Sequence, residues 1–274
     1  MFSDYQITNI GSELTLRTFC HENGHMICDY PDLYDYGVDG VSANGVGHYC
    51  LMCFGGDNKN PVQVCAYLKN ETGWATKATP ITPGITANLS AANNDFYVYA
   101  KNATEYFIVE NRQKTGRDIF LPDAGLAIWH VDEDEQASNE NQQMTPSQHY
   151  ECSLEQADNR FDLEKRTNAG DSEDLLASPN NTQFSDSTSP NSKWWDGSNS
   201  GLNITQISAS GATMTFVAPA WVAPLQWSLA SQTAGFGNLI DGQHPIWIAD
   251  FTGAGHAQIM FYYSGDGNWW LGSL

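Results

Sequence analysis

The stretch Glu13-Leu14-Thr15-Leu16-Arg17-Thr18-Phe19-Cys20-His21-Glu22-Asn23-Gly24-His25-Met26-Ile27-Cys28 decides how this chain is read. Ser12 stands before it as an N-cap and Pro31 cannot continue it, so one helix over residues 13–28 is predicted. His21 and His25 are four residues apart and share one helix face, where two imidazoles can grip a single ion. Glu22 points to the adjacent side. From there it can take a proton from a metal-bound water and pass it to a leaving amine. Gly24 costs a mid-helix position about 1 kcal/mol against Ala, a cost that normally has a packing or functional reason. A hydrolytic zinc also needs a third protein ligand and an open position. Asp32 follows the helix-ending Pro31, where the chain can turn back to the ion; Asp29 and Asp35 are its rivals, each also suited to a turn or cap.

Outward from this helix, the chain falls into three zones. Residues 1–79 hold the helix and a following run of Gly, Asp and Tyr that reads as loop. Residues 80–218 read as β. The segments 96–100, 105–110 and 125–131 are short and rich in β-branched or aromatic residues, and 212–217 alternates cleanly. Between them runs a long polar stretch, residues 132–192, which something must pin if the domain is compact. Its oxygen donors around Asp158, Asp171 and Asp174, with Gly170 for a sharp turn, suit calcium. A solvated loop face is the competing reading. Residues 219–274 follow a Pro-bearing linker and are aromatic and Gly-rich.

Composition narrows the partners. Lys and Arg number 12 against 32 Asp and Glu, a net charge of -20. Nucleic acid and anionic membranes need basic patches, so neither is expected as a partner. No run approaches the ~18 apolar residues of a membrane-spanning helix. Six cysteines, four of them clustered at Cys20, Cys28, Cys50 and Cys53, make disulfides and an extracellular location the expectation. Sequons at Asn70, Asn88, Asn102, Asn180 and Asn203 allow glycosylation.

Several motifs together resemble the immune inhibitor A family of secreted metallopeptidases. They are His21-Glu22-Asn23-Gly24-His25 with Pro31-Asp32-Leu33-Tyr34-Asp35-Tyr36-Gly37, then Gly47-His48-Tyr49-Cys50-Leu51-Met52-Cys53-Phe54-Gly55-Gly56, and Pro61 through Gly73-Trp74. The segments 105–112, 125–132 and 189–195 continue the likeness, which covers residues 7–217. Cys28 stands where founding members have Gly, and Asp32 comes one residue later, as a single insertion before Pro31 would produce. The resemblance implies a zinc endopeptidase acting on proteins or peptides. His21, His25 and Asp32 would be the ligands, Glu22 the general base and Met52 an apolar floor beneath the metal.

The fold class expected is therefore α+β. A partial zincin catalytic domain (1–79) precedes a β-rich, sandwich-like domain (80–218) and one β-propeller-like repeat (219–274). Asp250-Phe251-Thr252-Gly253-Ala254-Gly255 resembles the repeats of extracellular propellers, and Asp266-Gly267-Asn268-Trp269-Trp270 offers aromatics for glycans. About twenty residues precede His21, too few for the sheet that lines a zincin groove. The chain is thus expected to be the metal-bearing part of a longer secreted protein. The rival function is an extracellular carbohydrate-binding or adhesion module with a vestigial peptidase site.

Overall fold

A computed structural model of the chain describes residues 15–38, 40–134 and 139–220, together with strand residues 246–249, 258–263 and 268–273. The architecture is mixed α/β, mostly strands with few helices, and no closed barrel occurs among the described residues. It divides into two compact units, residues 1–221 and 222–274.

Helix α1 (Leu16–Cys28) begins three residues later than the sequence pattern predicts. Thr15 is its extended N-cap (φ -97°, ψ 116°), and Ser12 lies outside the described residues. The start is set by tertiary contact. The amide of Arg17, which a helix leaves unpaired in its first turn, donates to the carbonyl of Asn58 at 3.0 Å. The helix ends at Asp29, left-handed at φ 56°. The amides of Asp29 and Tyr30 donate back to the carbonyls of His25 and Gly24. This closure redirects the chain so that Asp32 returns toward the helix.

After helix α2 (Ala66–Glu71) come β1 (Lys77–Pro80), β2 (Ile85–Ser90), β3 (Asp95–Ala100), β4 (Glu105–Arg112), β5 (Gly125–Asp132) and β6 (Cys152–Leu154). A five-stranded sheet runs β1-β3-β4-β5-β6, with β1 parallel to β3 and the other pairs antiparallel. Every residue of β4 is buried, because both faces of the sheet are covered. Alternate side chains go to different cores. Tyr106, Ile108, Ala127 and Trp129 join Leu33, Tyr49, Met52 and Leu68 on one face. Phe107, Val109, Leu126 and Ile128 join Leu89, Phe184, Ile204 and Phe216 on the other. Residues on both sides of position 79 thus share the first core. The second is completed by β7 (Phe184–Ser185), β8 (Asn203–Ile204) and β9 (Thr213–Ala218), β9 pairing antiparallel with β2. Each fully buried Leu, Met or Phe in these cores is stabilised by about 1.5–3 kcal/mol relative to exposure.

The long polar stretch is held at many points. The Asn139 amide group donates to the carbonyls of Leu33 and Cys152, at 3.2 and 2.8 Å. Asn44 donates from its backbone to Leu163 and from its side chain to the Asn168 carbonyl. Leu176 exchanges backbone hydrogen bonds with Leu126 of β5. The carboxylate of Asp186 gathers the amides of Ser200 and Gly201 and the hydroxyl of Ser192. Gly47 (φ 56°) lies so close to the Ala169 carbonyl that a Cβ would overlap it. That contact lets the loop lie flat on residues 44–49.

The second unit contains β10 (Ile246–Ala249), β11 (Gln258–Tyr263) and β12 (Asn268–Ser273), an antiparallel three-stranded sheet in that order. The motif Asp250–Gly255 and the turn residues Asp266 and Gly267 lie outside the described residues. No helix among the described residues is long and apolar enough to cross a membrane.

Glu164 gives the first unit a pH dependence. It is buried, accepts from Gln156 Nε2 at 2.7 Å, and burial pushes its carboxyl up from 4.5 to about 7. A carboxyl raised in the folded state keeps its proton after the unfolded chain has lost it. Its stabilising contribution is complete below the ordinary pKa and is lost as pH rises to the folded value. Folding free energy should therefore drop by about 3 kcal/mol from this group between pH 4.5 and 7. Urea unfolding at a series of pH values checks this, and Glu164→Gln should remove that part of the slope.

Candidate metal centre

His21 and His25 project from one face of α1, and each ring is oriented by the backbone. His21 Nδ1–H donates to the Leu51 carbonyl at 2.9 Å, and His25 Nδ1–H to the Tyr30 carbonyl at 2.5 Å. A carbonyl oxygen can only accept. In each neutral ring the proton is therefore on Nδ1 and the lone pair on Nε2. The two Nε2 atoms lie 3.2 Å apart. Asp32 Oδ1 sits 2.8 Å from the first and 3.3 Å from the second. That oxygen is buried with no hydrogen-bond donor.

Three lone pairs aimed at one point repel unless a positive charge lies among them. A proton can supply it. Burial would push the His21 imidazole down and the Asp32 carboxyl up, but the hydrogen bond that a protonated His21 Nε2 would donate to Asp32, the Tyr36 hydroxyl on that carboxylate and the attraction of opposite charges prevail, so His21 is raised and Asp32 lowered. A metal ion can supply the charge as well. Ligand atoms 2.0–2.1 Å from a tetrahedral zinc lie about 3.3 Å from one another, close to the separations here. The donor types and the fixed tautomers fit zinc. Glu22 adjoins the cluster on the same turn, half-buried, and its charge also favours the protonated His21.

Met52, which is fully buried, packs against α1 at Gly24. A Cβ on Gly24 would lie 2.5 Å from Met52 Sδ and 3.3 Å from the Tyr30 ring. The glycine is thus where the helix approaches the thioether. The same segment supplies the Leu51 carbonyl to His21, and the Leu33 amide donates to the Met52 carbonyl at 2.7 Å.

The rival carboxylates take other work. Asp29 is the helix C-cap, and buried Asp35 accepts the Gly37 amide at 2.7 Å. Sequence reasoning passed over the groups that hold Asp32. The Tyr36 hydroxyl donates to Asp32 Oδ2, and the Tyr34 hydroxyl donates to Tyr36 at 2.8 Å. Glu140 accepts the amides of Tyr36 and Val38 at 2.9 and 3.2 Å. Leu51 and Tyr30 act through backbone carbonyls, which any residue carries, and Glu140 is more than a hundred positions away. Neither leaves a local signal.

The second predicted cluster also converges. Asp158, Asp171 and Asp174 each bring a carboxylate oxygen within 4.8 Å of the others. Asp174 is fully buried. Its Oδ2 accepts the Tyr49 hydroxyl at 2.9 Å and the Asp171 amide at 2.7 Å, while Oδ1 has no donor. Asp158 Oδ2 is likewise buried without a hydrogen bond, although the Arg160 guanidinium lies 3.2 Å away. Burial pushes the Asp174 carboxyl up to about 7. A hard cation in its place would satisfy the orphaned oxygens, so these residues fit calcium. Tyr49 links this cluster to the segment under the first.

Compared with protein-family models, curated proteins and solved structures, the chain matches none.

The Gly24–Met52 contact is testable. Gly24→Ala should gain about 1 kcal/mol of helix propensity and lose about 1–3 kcal/mol to overpacking, a net cost. In a Met52→Ala background the second effect vanishes and the same change becomes neutral or stabilising. A double-mutant cycle by chemical denaturation measures the difference.

Proposed function

We propose that this chain acts as a secreted zinc endopeptidase of the zincin type, cleaving peptide bonds in proteins. The observation that carries the reading is the convergence of two Nε2 lone pairs and an orphaned carboxylate oxygen beside Glu22. The ordered likeness of the chain's motifs to the immune inhibitor A family supports it.

His21, His25 and Asp32 would hold the ion. Zinc, when bound, makes water acidic enough to act as a nucleophile near neutral pH and polarises a carbonyl. The remaining work falls to the chain. Leu51 and Tyr30 hold both imidazoles in the ligating tautomer, and Tyr36 holds the far oxygen of Asp32 so that Oδ1 faces inward. The Glu22 carboxylate accepts a proton from the attacking water and delivers it to the amine that leaves. Met52, buried against Gly24 of α1, would supply the apolar floor beneath the ion. A calcium ion at Asp158, Asp171 and Asp174 would hold the polar loop against Tyr49. Extracellular location, glycosylation and glycan contacts through the second unit belong to the same reading.

Two measurements test it. Elemental mass spectrometry should find about one zinc per chain, lost in Asp32→Ala; Glu22→Gln should keep the zinc while chelator-sensitive hydrolysis of a casein substrate falls by at least a hundredfold. Zinc bound with no hydrolysis in either form would favour the binding-module reading instead. Separately, calcium should raise the unfolding temperature of the parent chain and leave Asp174→Asn unchanged.

A further inference from the structure

Lys69 of α2 is a buried cation, its side chain only 7% exposed. Its Nζ lies 3.8 Å from Glu110 Oε2 and 5.8 Å from the centre of the Phe96 ring. The first separation makes an ion pair but not a hydrogen bond. Glu110 spends its other oxygen elsewhere: Oε1 accepts from Trp129 Nε1 at 2.9 Å, Arg112 Nη1 at 3.1 Å and the Ala66 amide at 3.3 Å. The ammonium therefore has three N–H donors and no hydrogen-bond acceptor among the described residues. A charge withdrawn from bulk water is costly unless something supplies acceptors.

The Lys69 side chain borders a cavity of about 360 Å³, within the size range of small-molecule sites. Val62, Val64 and Trp74 give the cavity apolar walls, and Gln63 and Asn94 bring amides to it. Arg117, an exposed residue, stands on the same lining. The chain carries 32 acidic residues against 12 basic ones, yet the described residues of this lining include two cations and no carboxylate. The carboxylates nearby are turned to other work. Asp118 accepts the Gln63 backbone amide at 2.9 Å and Arg112 Nε at 3.0 Å, and Glu110 is held as above. The cavity also adjoins the metal centre. Leu51 lines it, and the Leu51 carbonyl orients His21. Trp74 packs edge-on against Tyr30, whose carbonyl orients His25, with ring centres 6.3 Å apart.

We propose that this cavity is a carboxylate-binding subsite that holds an acidic side chain of the peptide being cleaved. Lys69 supplies a point charge with unused donors, and Arg117 supplies a planar fork that can meet both carboxylate oxygens. The methylenes of a glutamate would lie against Val62, Val64 and Trp74, a burial that an inorganic anion cannot use. That the ligand is a peptide rests on the peptidase reading. The preference for a carboxylate rests on the cavity alone.

Binding is measured first, on the full chain by NMR titration that follows the amides of Gln63 and Trp74. The probes are N-acetyl-glutamate α-amide and its glutamine isostere. The glutamate compound should bind tighter by about tenfold or more, and Lys69→Met should abolish the difference. Arg117→Ala, at an exposed position, should weaken the glutamate compound by about threefold. If Lys69→Met does not fold, the two probes on the parent chain and on Arg117→Ala decide. Equal binding of the two probes, or binding of neither, overturns the proposal. So does tighter binding of inorganic phosphate, or of N-acetyl-alanine, whose carboxylate is its terminus. Hydrolysis is read separately on a peptide library, where cleavage should fall beside Asp or Glu. Selective binding of the glutamate compound without hydrolysis removes the peptidase reading and keeps the carboxylate site. Hydrolysis with no acidic preference removes the subsite and keeps the peptidase reading.

Discussion

Two hydrogen bonds from imidazole to backbone govern the centre of this molecule. Leu51 and Tyr30 present carbonyl oxygens to His21 and His25, and a carbonyl can accept but never donate. The protons are thereby confined to Nδ1, and both Nε2 lone pairs are turned toward Asp32. Each carbonyl is itself placed by packing. Leu51 precedes Met52, which is wedged against Gly24, and Tyr30 follows the left-handed closure of α1. The site is therefore assembled by the core beneath it as well as by the helix that bears it.

That core depends on a sheet covered on both faces. Because β4 and β5 send alternate side chains into two apolar clusters, the segment 47–55 can lie against one face while the β2–β9 ribbon covers the other. Burying charge in such a place demands partners, and they are present. Arg112 is enclosed by Glu110 and Asp118 and also donates to the Tyr49 carbonyl at 3.0 Å. Tyr49 in turn reaches the carboxylate of Asp174. One residue thus touches the sheet, the floor segment and the acidic cluster.

Much of this was legible from local pattern. The segment around Phe216 shows a period of two, because a strand buried on one face cannot change register without exposing its apolar set, and those around Phe96, Phe107 and Ile128 were marked by their β-branched and aromatic residues. The helix carrying His21 and His25 was legible for the same kind of reason, and its last residue, Cys28, is followed by the closure that Pro31 implies. Its first residue was not, because Arg17 finds its hydrogen-bond partner in Asn58 and no local rule reports that contact. Even the unexplained Gly24 signalled a close neighbour without saying which.

What the sequence determined by itself is therefore what local spacing and composition carry: the helix face shared by His21 and His25, the β-branched and aromatic runs of the strands with the alternation at 212–217, and the run of carboxylates at Asp158, Asp171 and Asp174. What only the tertiary structure decided is which donor atoms meet. Asp32 was distinguished from Asp29 and Asp35 by the turn after α1 and by the hydroxyl of Tyr36, and Glu140 reached that loop from far along the chain. The reason is physical. A periodic pattern records the solvent boundary of one element, whereas a lone pair is aimed by groups that come from several, and nothing in local sequence encodes their meeting.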